Sequence, residues 1–312
     1  MIVPSHRAEG MIGACLDGLA AQTYPKPFEV HVVDTGADGT EGVVADHAAE
    51  WDGRLHYHRA EGRGPGRQRN EGVELSGAEL LAFTDSDCVP APMWLAAGVE
   101  RLAAGASIVQ GPVRTPDGSP PPPFAHAITI EGPSPLYESC NIFYEGGAFR
   151  RAGGFSVDLF DLTGSHMGED TELGWRVRRN GGEVAYDERA LVRHAVHPPD
   201  YRHNLAYEWQ ARFFPRLIGR VPELRRELLT AGVFLGPRSV RASAALAGLG
   251  LAARHRSGLA LTLPYLAELY RGVAHAKSPR AAAVVTARRV VADAVREGGL
   301  VWGSVRYRTP VL

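Results

Sequence analysis

Two carboxylates follow directly on an apolar run and could hold a charged ligand between them. The run at residues 80–83 is followed by Thr84 and then by Asp85, Ser86 and Asp87. In an extended chain, side chains at positions i and i+2 point to the same side and lie roughly 6.5 Å apart. Two acids at the end of a buried strand are costly without a cation, and a divalent metal ion that holds a diphosphate is a natural partner. The alternative is a strand that ends in a solvated Asp-Ser-Asp turn.

The elements that would position these acids alternate between strand and helix over the first 110 residues. Strand patterns occupy residues 1–4, 28–34, 55–58, 80–83 and 107–110, and helix patterns occupy residues 9–22, 41–51, 66–76 and 91–104. This alternation predicts βαβ units and a mostly parallel sheet, in which ligands bind at the carboxyl ends of the strands. Asp34, Asp85 and Asp87 all stand at such ends, so the sequence predicts one shared site.

A proline-rich break at residues 117–123 separates this part from a less regular section. A charged helix pattern follows at 169–180, a strand-like pattern at 183–193 and a helical pattern from residue 203 onward. Ser278 followed by Pro279 is typical of a helix start, with proline at the first helical position.

The composition indicates one large domain or one domain with an appendage. The chain has 312 residues, 45% of them hydrophobic, and its three scattered cysteines are too few for a disulfide framework or a zinc site. We therefore expect a reducing, cytoplasmic setting. Residues 1–30 lack the basic start and apolar core of a signal peptide, and the sequence lacks the run of about 18 apolar residues that a spanning helix needs.

The net charge of −1 conceals a strong asymmetry along the chain. Residues 1–200 carry 16 Lys and Arg against 29 Asp and Glu, a net of −13, whereas residues 201–312 carry 18 against 6, a net of +12. This change predicts two regions with different partners.

Five segments, in this order, resemble the motifs of family 2 glycosyltransferases. They are VPSHR at 3–7, VVDTGADGT at 32–40, GPGRQRNEG at 64–72, DSD at 85–87 and GEDTELGWR at 168–176. The resemblance covers roughly residues 1–200 and implies the GT-A fold of nucleotide-diphospho-sugar transferases. This is an α/β, Rossmann-like fold with a mixed or mostly parallel sheet flanked by helices. We expect a nucleotide-binding half at 1–115, an acceptor and catalytic half at 116–200, and a basic helical C-terminal appendage at 201–312.

The resemblance implies an inverting, metal-dependent transferase that moves a sugar from a nucleotide-diphosphate donor to a hydroxyl acceptor. Asp34 is expected to bind the base. A UDP-sugar is favoured and a GDP-sugar is the second option, since an acid suits the donor edge of uracil or guanine. By resemblance, Asp87 binds the metal directly and Asp85 contacts the ribose, or the metal through water. The other residues that the resemblance assigns to donor binding are Pro4, Arg7, Arg63, Arg69 and Ser86.

For Arg63 and Arg69 the alternative interpretation is that they lie on a solvated helix face.

Asn141 and Trp175 are the candidates for contact with the sugar or the acceptor. Trp175 lies about 1.5 turns after Asp170, and the alternative interpretation is that it only packs against the rest of the protein. Residues 160–168 contain two glycines and could either close over the donor or form an ordinary surface loop.

The catalytic residues implied by the resemblance are Asp170 and its neighbour Glu169. An inverting transfer needs one group that takes the proton from the acceptor hydroxyl, and Asp170 is expected to be this general base. Its position at a helix start would keep the carboxylate ionised through the helix dipole. The alternative is that the two acids only favour the helix N-terminus.

A histidine after the strand-like pattern is expected to complete the metal site with Asp87 and Asp85. His194 is favoured by register and His197 is the alternate, and a packed or surface histidine is the competing interpretation. Imidazole is an acceptable ligand for Mn²⁺ and a poor one for Mg²⁺. The expected cofactor is therefore Mn²⁺ or Mg²⁺.

The basic region at 201–312 contains apolar stretches at 242–253 and 258–270 with arginines between them. One interpretation is peripheral contact with the inner face of an anionic membrane, which would suit a lipid-linked acceptor. The other is packing against the acidic domain or a homodimer interface. A glycan or a small molecule is equally open as the acceptor. Nucleic acid is disfavoured as a partner, because no nucleic-acid motif is present and the basic residues interleave with apolar helix faces.

Two other functions compete with this one. A nucleotidyltransferase would carry a Gly-rich, basic phosphate loop after the first strand, where residues 4–8 read PSHRA. A catalytically degenerate sugar-nucleotide-binding or scaffold protein would not need Asp85, Asp87 and Asp170 together. The apolar run before residue 4 is short, so either the true start lies upstream or the first strand is clipped.

Overall fold

The computed structural model describes residues 1–61, 64–158, 167–274 and 278–312. The chain divides into two compact units. The N-terminal unit comprises Met1–Pro121 and Ala127–His197, and the C-terminal unit comprises Pro122–His126 and Pro198–Leu312.

The N-terminal unit alternates strands and helices through its first 110 residues, as the sequence predicts. In chain order its elements are β1 (Ile2–Ser5), α1 (Ile12–Ala20), β2 (Val30–Asp34), α2 (Thr40–Ala48), β3 (Leu55–Arg59), α3 (Pro65–Ser76), β4 (Leu80–Thr84), β5 (Cys88–Pro90), α4 (Trp94–Ala103), β6 (Ile108–Gln110), β7 (Val113–Arg114), β8 (Asn141–Glu145), α5 (Gly146–Arg151), α6 (Glu169–Arg179), β9 (Val184–Tyr186) and β10 (Val192–His194). The helix predicted at 169–180 is confirmed as α6.

The central sheet of the N-terminal unit has seven strands within the described residues, in the order β3-β2-β1-β4-β8-β6-β9. The strands β3, β2, β1 and β4 are parallel, β8 runs antiparallel to both of its neighbours, and β9 is parallel to β6. Since β1, β2 and β4 run in one direction, Ser5, Asp34 and Thr84 end at the same edge of the sheet. The predicted α/β class with a mostly parallel sheet is confirmed.

A smaller sheet, β5-β10-β7, brings His194 to the acidic motif, which consists of Asp85, Ser86 and Asp87. β10 runs antiparallel to β5 with His194 opposite Cys88, and the Ala195 N–H donates to the Asp87 carbonyl at 2.9 Å. The strand-like pattern at 183–193 therefore divides into β9 and β10, which belong to different sheets. The division arises because the chain turns after β9, where the Ala190 N–H donates to the Asp187 carbonyl at 3.0 Å.

The core of the N-terminal unit depends on close packing between α4 and β8. The ring centroids of Trp94 and Phe143 are 4.7 Å apart, and both side chains are buried. A Cβ at Gly98 would lie 2.3 Å from the Phe143 ring. The glycine therefore allows the aromatic ring of β8 to lie against the helix backbone.

The C-terminal unit is mainly helical, as the pattern from residue 203 predicts. Its elements are α7 (Tyr201–Trp209), a 3₁₀ helix (Gln210–Phe213), α8 (Phe214–Arg220), α9 (Leu224–Leu228), β11 (Leu229–Thr230), β12 (Phe234–Leu235), α10 (Gly236–Ala252), a second 3₁₀ helix (Arg256–Thr262), α11 (Leu263–Gly272) and α12 (Pro279–Tyr307). Among the helices in the described ranges, none is long and apolar enough to cross a membrane.

A buried ion network joins three helices of the C-terminal unit. Arg238 on α10 lies 2.5 Å from Asp293 on α12 and 2.9 Å from Glu208 on α7. Glu297 accepts a hydrogen bond from Ser239 at 2.7 Å. These three acids are half of the 6 acids after residue 200, and all three are buried. Their burial leaves few carboxylates on the surface of this basic unit.

Candidate active site at the carboxyl ends of the strands

A cleft of about 430 Å³ opens at the sheet edge where β1 and β4 end. Within the described residues it is lined by Pro4, Ser5, His6, Met11, Pro65, Gln68, Arg69, Asp85, Ser86, Asp87, Ile128, Glu138, Ser139, Cys140, Glu169 and Asp170. Of the predicted site residues, the cleft thus brings together Pro4, Arg69, Asp85, Ser86, Asp87, Glu169 and Asp170.

Arg69 is a buried cation among the carboxylates of the cleft. It is 3% exposed, its Nη2 donates to Asp85 Oδ1 at 2.5 Å, and its Nη1 lies 3.8 Å from Glu169 Oε1. Burial by itself lowers the pKa of Arg69, but the charges of Asp85, Glu169 and Asp170 outweigh it and raise this pKa above its usual value. Arg69 is therefore buried, and the alternative interpretation, in which it lies on a solvated helix face, does not hold.

Asp34 ends β2 and fixes the loop that follows. Its Oδ1 accepts the Gly36 N–H at 3.0 Å, its Oδ2 accepts the Tyr57 hydroxyl at 3.0 Å, and Arg59 Nη1 lies 3.6 Å from Oδ2. A Cβ at Gly36 would lie 2.5 Å from the backbone nitrogen of Arg7, so this loop packs closely on the segment after β1. Asp34 lies at the same sheet edge as the cleft and beside its lining.

Asp87 meets both candidate histidines. His197 Nε2 lies 2.8 Å and His194 Nε2 lies 3.7 Å from Asp87 Oδ2, and one ligand atom from each residue lies within 4.8 Å of the others. His194 Nδ1 is 2.7 Å from the Ala195 carbonyl, which holds the proton on Nδ1 and turns Nε2 toward Asp87. One carboxylate and two imidazoles form a donor set that fits Mn²⁺ better than Mg²⁺. Asp85 is paired with the buried guanidinium instead.

Asp170 faces the cleft from the first turn of α6. Burial first, and then the charges of Glu169 and Glu138, raise the pKa of Asp170 from 3.8 to about 8. Its oxygens accept the Thr171 N–H at 2.7 Å and the Ser139 N–H at 3.3 Å. The expectation that the helix dipole keeps Asp170 ionised is therefore wrong, because burial and two carboxylates outweigh the helix terminus. A pKa near the working pH suits a general base.

Asn141 supports the fold around the cleft. It is 2% exposed, and each polar atom of its amide already has a partner. Oδ1 accepts from Trp94 Nε1 at 2.8 Å, and Nδ2 donates to the carbonyls of Pro112 at 2.9 Å and Ala190 at 2.8 Å. A contact with a sugar would break this set, so we interpret Asn141 as a residue that ties β8 to its surroundings.

Trp175, on α6, is buried and does not line the cleft. It is 5% exposed, and its Nε1 donates to the Pro135 carbonyl at 2.9 Å. Its ring forms an edge contact with Tyr137 at 6.3 Å, and the Arg178 guanidinium lies 4.4 Å from its centroid. These contacts agree with the packing alternative.

Three sequence predictions concern positions that the described residues do not place in the cleft. Arg7 is exposed after β1, with a backbone φ of 55°. Arg63 lies outside the described residues, as do positions 160–166 of the loop predicted at 160–168.

Glu138 and Gln68 are among the cleft residues that the sequence did not predict. Glu138 lines the cleft, burial raises its pKa, and its Oε2 is buried without a hydrogen-bond partner in the part of the chain that the structure describes. Gln68 Nε2 donates to the carbonyls of Ser5 and Val33, each at 2.7 Å, and so joins α3 to β1 and β2. An acid shortly before an apolar strand and a buried amide beside Arg69 are the signals that could have found them.

The sequence matches a known family and several curated proteins. The family model for glycosyl transferase family 2 matches residues 1–161. The glycosyltransferase AglE of Haloferax volcanii is 36% identical over 116 residues, which cover 36% of this chain and 38% of the relative. The validoxylamine A glucosyltransferase of Streptomyces hygroscopicus subsp. limoneus is 25% identical over 275 residues, which cover 75% of this chain and 60% of the relative. The chain thus spans less than two thirds of the length of these relatives.

Solved structures share the fold. The mannosyltransferase PcManGT from Pyrobaculum calidifontis, in complex with GDP-Man and Mn²⁺, has a TM-score of 0.57 and 18% identity, with 98% of this chain and 86% of that chain covered. S. aureus TarS 1–349 in complex with UDP-GlcNAc has a TM-score of 0.52 and 17% identity, with 99% and 91% covered. The likeness establishes the predicted GT-A fold for this chain.

Replacing Arg69 by methionine tests its role as the cation of the cleft. Because Arg69→Met leaves Asp85 and Glu169 close together without their cation, we expect a loss of unfolding free energy of about 3 kcal/mol. The measurement is urea unfolding at neutral pH. The control is Arg67→Met on the exposed face of the same helix, which should change stability by less than about 0.5 kcal/mol. Equal stability of the two variants would contradict this role.

Proposed function

The chain belongs to glycosyl transferase family 2, and from this premise we propose that it transfers a sugar from a nucleotide-diphosphate donor to a hydroxyl acceptor, with inversion. The observation that carries the proposal is the cleft, which Asp85, Asp87 and Asp170 line together at the carboxyl ends of the strands. Asp87 can help to hold the cation that a leaving diphosphate requires, and Asp170 can accept the proton of an attacking hydroxyl.

Asp87 with His194 and His197 would hold the divalent cation, and the two imidazoles favour Mn²⁺ over Mg²⁺. When bound, such an ion neutralises the charge that develops on the diphosphate as the sugar–phosphate bond breaks. Asp85 takes part indirectly. Its pairing with Arg69 at 2.5 Å fixes the carboxylate beside the metal ligands.

Asp34 would receive the nucleoside at the edge of the same sheet. Its carboxylate is held by Tyr57 and by the Gly36 N–H, so its position is fixed before a ligand arrives. A fixed acceptor suits the N–H of uracil or guanine, and we favour a UDP-sugar over a GDP-sugar. Pro4 and Ser86, which line the cleft, would contact the donor without contributing charge.

Asp170 would act on the acceptor. One of its carboxylate oxygens takes the hydroxyl proton while the hydroxyl oxygen forms its bond to the anomeric carbon. The sugar–phosphate bond breaks at the same carbon, and its electron pair leaves with the nucleoside diphosphate. Glu169, paired with Arg69 at 3.8 Å, helps to set the proton affinity of Asp170 through its charge.

We further propose that the C-terminal unit contacts an anionic membrane through one apolar surface. The leucine surface consists of exposed side chains on α10, α11 and the 3₁₀ helix between them: Leu246, Leu249, Leu251, Leu259, Leu261, Leu263, Leu266 and Tyr270. Close contact at Gly248, where a Cβ would lie 2.6 Å from the Gly258 carbonyl, holds two of these helices together. Arg254, Arg256 and Arg271 are exposed on the same segment. Apolar side chains flanked by arginine suit the interface of an anionic bilayer, where a lipid-linked acceptor would be found.

Nucleotide binding tests the donor site. Calorimetry with UDP, GDP, dTDP and CDP should show one nucleotide, with UDP favoured, that binds much more tightly with Mn²⁺ than without it. Asp87→Ala should abolish the gain from Mn²⁺, because it removes the carboxylate of the ligand set. Asp46→Ala, an exposed acid on α2, is the control and should keep the gain. Failure of the folded protein to bind any nucleotide would contradict the proposed function and favour a scaffold.

The pH dependence of transfer tests the base. Because Asp170 must be deprotonated to act and its pKa is about 8, kcat/KM should rise with pH through about 8 and level off above it. Asp170→Asn should lower kcat/KM by a factor of about 10² to 10⁴ and remove this ascending limb. Glu172→Gln, on the same helix and hydrogen-bonded to Ser156, should keep both the rate and the limb. A fully active Asp170→Asn protein would assign the base elsewhere.

Vesicle binding tests the leucine surface. The protein should co-sediment with vesicles that contain phosphatidylglycerol, and less so with pure phosphatidylcholine or at high salt. Changing Leu263 and Leu266 together to serine should weaken binding at least tenfold, since each leucine contributes about 1.5 kcal/mol or more when buried. Leu75→Ser is the control on an exposed leucine of α3. Absence of vesicle binding, together with a dimer that the double variant dissociates, would assign the surface to a homodimer interface.

A further inference from the structure

A second group of potential metal ligands lies on the outer strands β2 and β3, away from the cleft. His31 on β2 is the register partner of His56 on β3, and Glu29 directly precedes β2. His56 and His58 lie on one face of β3, because alternate residues of a strand share a face. Asp34, which we propose binds the nucleoside, is at the opposite end of β2. The cluster is therefore not part of the catalytic site.

The ligand atoms of Glu29, His31 and His56 lie close to one another. Glu29 Oε2 lies 3.3 Å from His31 Nε2 and 4.0 Å from His56 Nε2, and one ligand atom from each of the three residues lies within 4.8 Å of the others. Two ligand atoms bound to one tetrahedral ion, each at a typical metal–nitrogen or metal–oxygen distance, are roughly 3.4 Å apart. The separation of 3.3 Å between Glu29 and His31 matches this value, and the separation of 4.0 Å between Glu29 and His56 requires an inward movement.

His56 Nε2 supplies an independent observation. The atom is shielded from solvent and has no hydrogen-bond partner in the ranges that the structure describes. Its distance of 4.0 Å from Glu29 Oε2 is too long for a hydrogen bond. A buried ring nitrogen without a partner normally requires an explanation, such as an ion or a water molecule. A cation between these two atoms would provide that partner.

His58 would orient His31 for binding. His58 Nε2 lies 3.1 Å from His31 Nδ1, and the two rings are stacked with centroids 5.3 Å apart and an interplanar angle of 8°. When the proton of His31 is on Nδ1, it is donated to His58, and the lone pair on His31 Nε2 points toward Glu29. Metal-bound histidines typically donate their second ring N–H to such a partner.

We propose that Glu29, His31 and His56 bind a divalent transition-metal ion of the Zn²⁺ type, with His58 as the residue that positions His31. Two imidazoles and one carboxylate suit Zn²⁺ and disfavour Mg²⁺ and Ca²⁺, which prefer oxygen ligands. Glu29 is 55% exposed, so water could complete the coordination from the solvent side. The ion would fasten β2 to the edge strand β3. Tyr57, between His56 and His58, holds Asp34, so the metal would stabilise the strands that carry the nucleoside contact.

The test measures Zn²⁺ binding by calorimetry in a protein whose other candidate metal group has been disabled. In the Asp87→Ala, His197→Ala double variant we expect one equivalent of Zn²⁺ to bind. Adding Glu29→Gln or His56→Ala should weaken this binding by at least tenfold, because the loss of even an outer-shell partner typically costs 10- to 100-fold. His58→Ala should weaken it less while leaving the stoichiometry at one.

The controls use exposed residues of the same types. Glu50→Gln and His255→Ala in the same background should leave Zn²⁺ affinity unchanged. Circular dichroism verifies the fold, and Glu29 and His56 are suitable positions because their side chains are 55% and 36% exposed. Zn²⁺ should also raise the thermal midpoint of the background protein but not of the Glu29→Gln variant. No Zn²⁺ binding in the background protein, or equal affinity in the test and control variants, would overturn the proposal.

Discussion

The cleft depends on one buried guanidinium. Asp85 and Glu169 would repel each other and would be costly to bury without a counter-charge, and Arg69 supplies it from between them. The helix that carries Arg69 is itself fixed, because Gln68 binds the carbonyls at the ends of β1 and β2. Asn70 exchanges hydrogen bonds with the backbone of Phe155, at 2.8 and 2.9 Å. The sheet edge, the acidic motif and the segment before α6 therefore meet at α3.

The sequence allowed the acids of this site to be predicted, but not the packing of Asn141 and Trp175. Asp34, Asp85 and Asp87 could be found because each follows an apolar strand, and the order of parallel strands brings such positions to one edge. Asn141 and Trp175 are residue types that often contact sugars, yet their environment is decided by remote segments. The partner of Asn141 Oδ1 is Trp94, 47 residues away in the sequence. No local pattern contains that information.

The proton affinity of Asp170 also depends on tertiary structure. A helix start favours an ionised acid, and this local rule alone predicts an ordinary low pKa. The folded chain adds burial, Glu169 and the remote Glu138, and together they raise the pKa to about 8. Burial is the main cause of this rise, and the neighbouring carboxylates add to it. Tertiary structure therefore gives the candidate base a pKa close to the pH at which it would work.

The antiparallel strand β8 has a consequence for how the chain reaches its native state. β8 lies between β4 and β6. Neither strand can therefore complete its pairing at the centre of the sheet until residues Asn141–Glu145 are present. During synthesis, the finished βαβ units of the first 110 residues would present the open edge of β4, and unpaired edges invite association with other chains. Such late, non-local pairing slows folding. A truncated chain that ends before β8 should consequently be prone to aggregation, although it contains most of the residues proposed to bind the nucleotide.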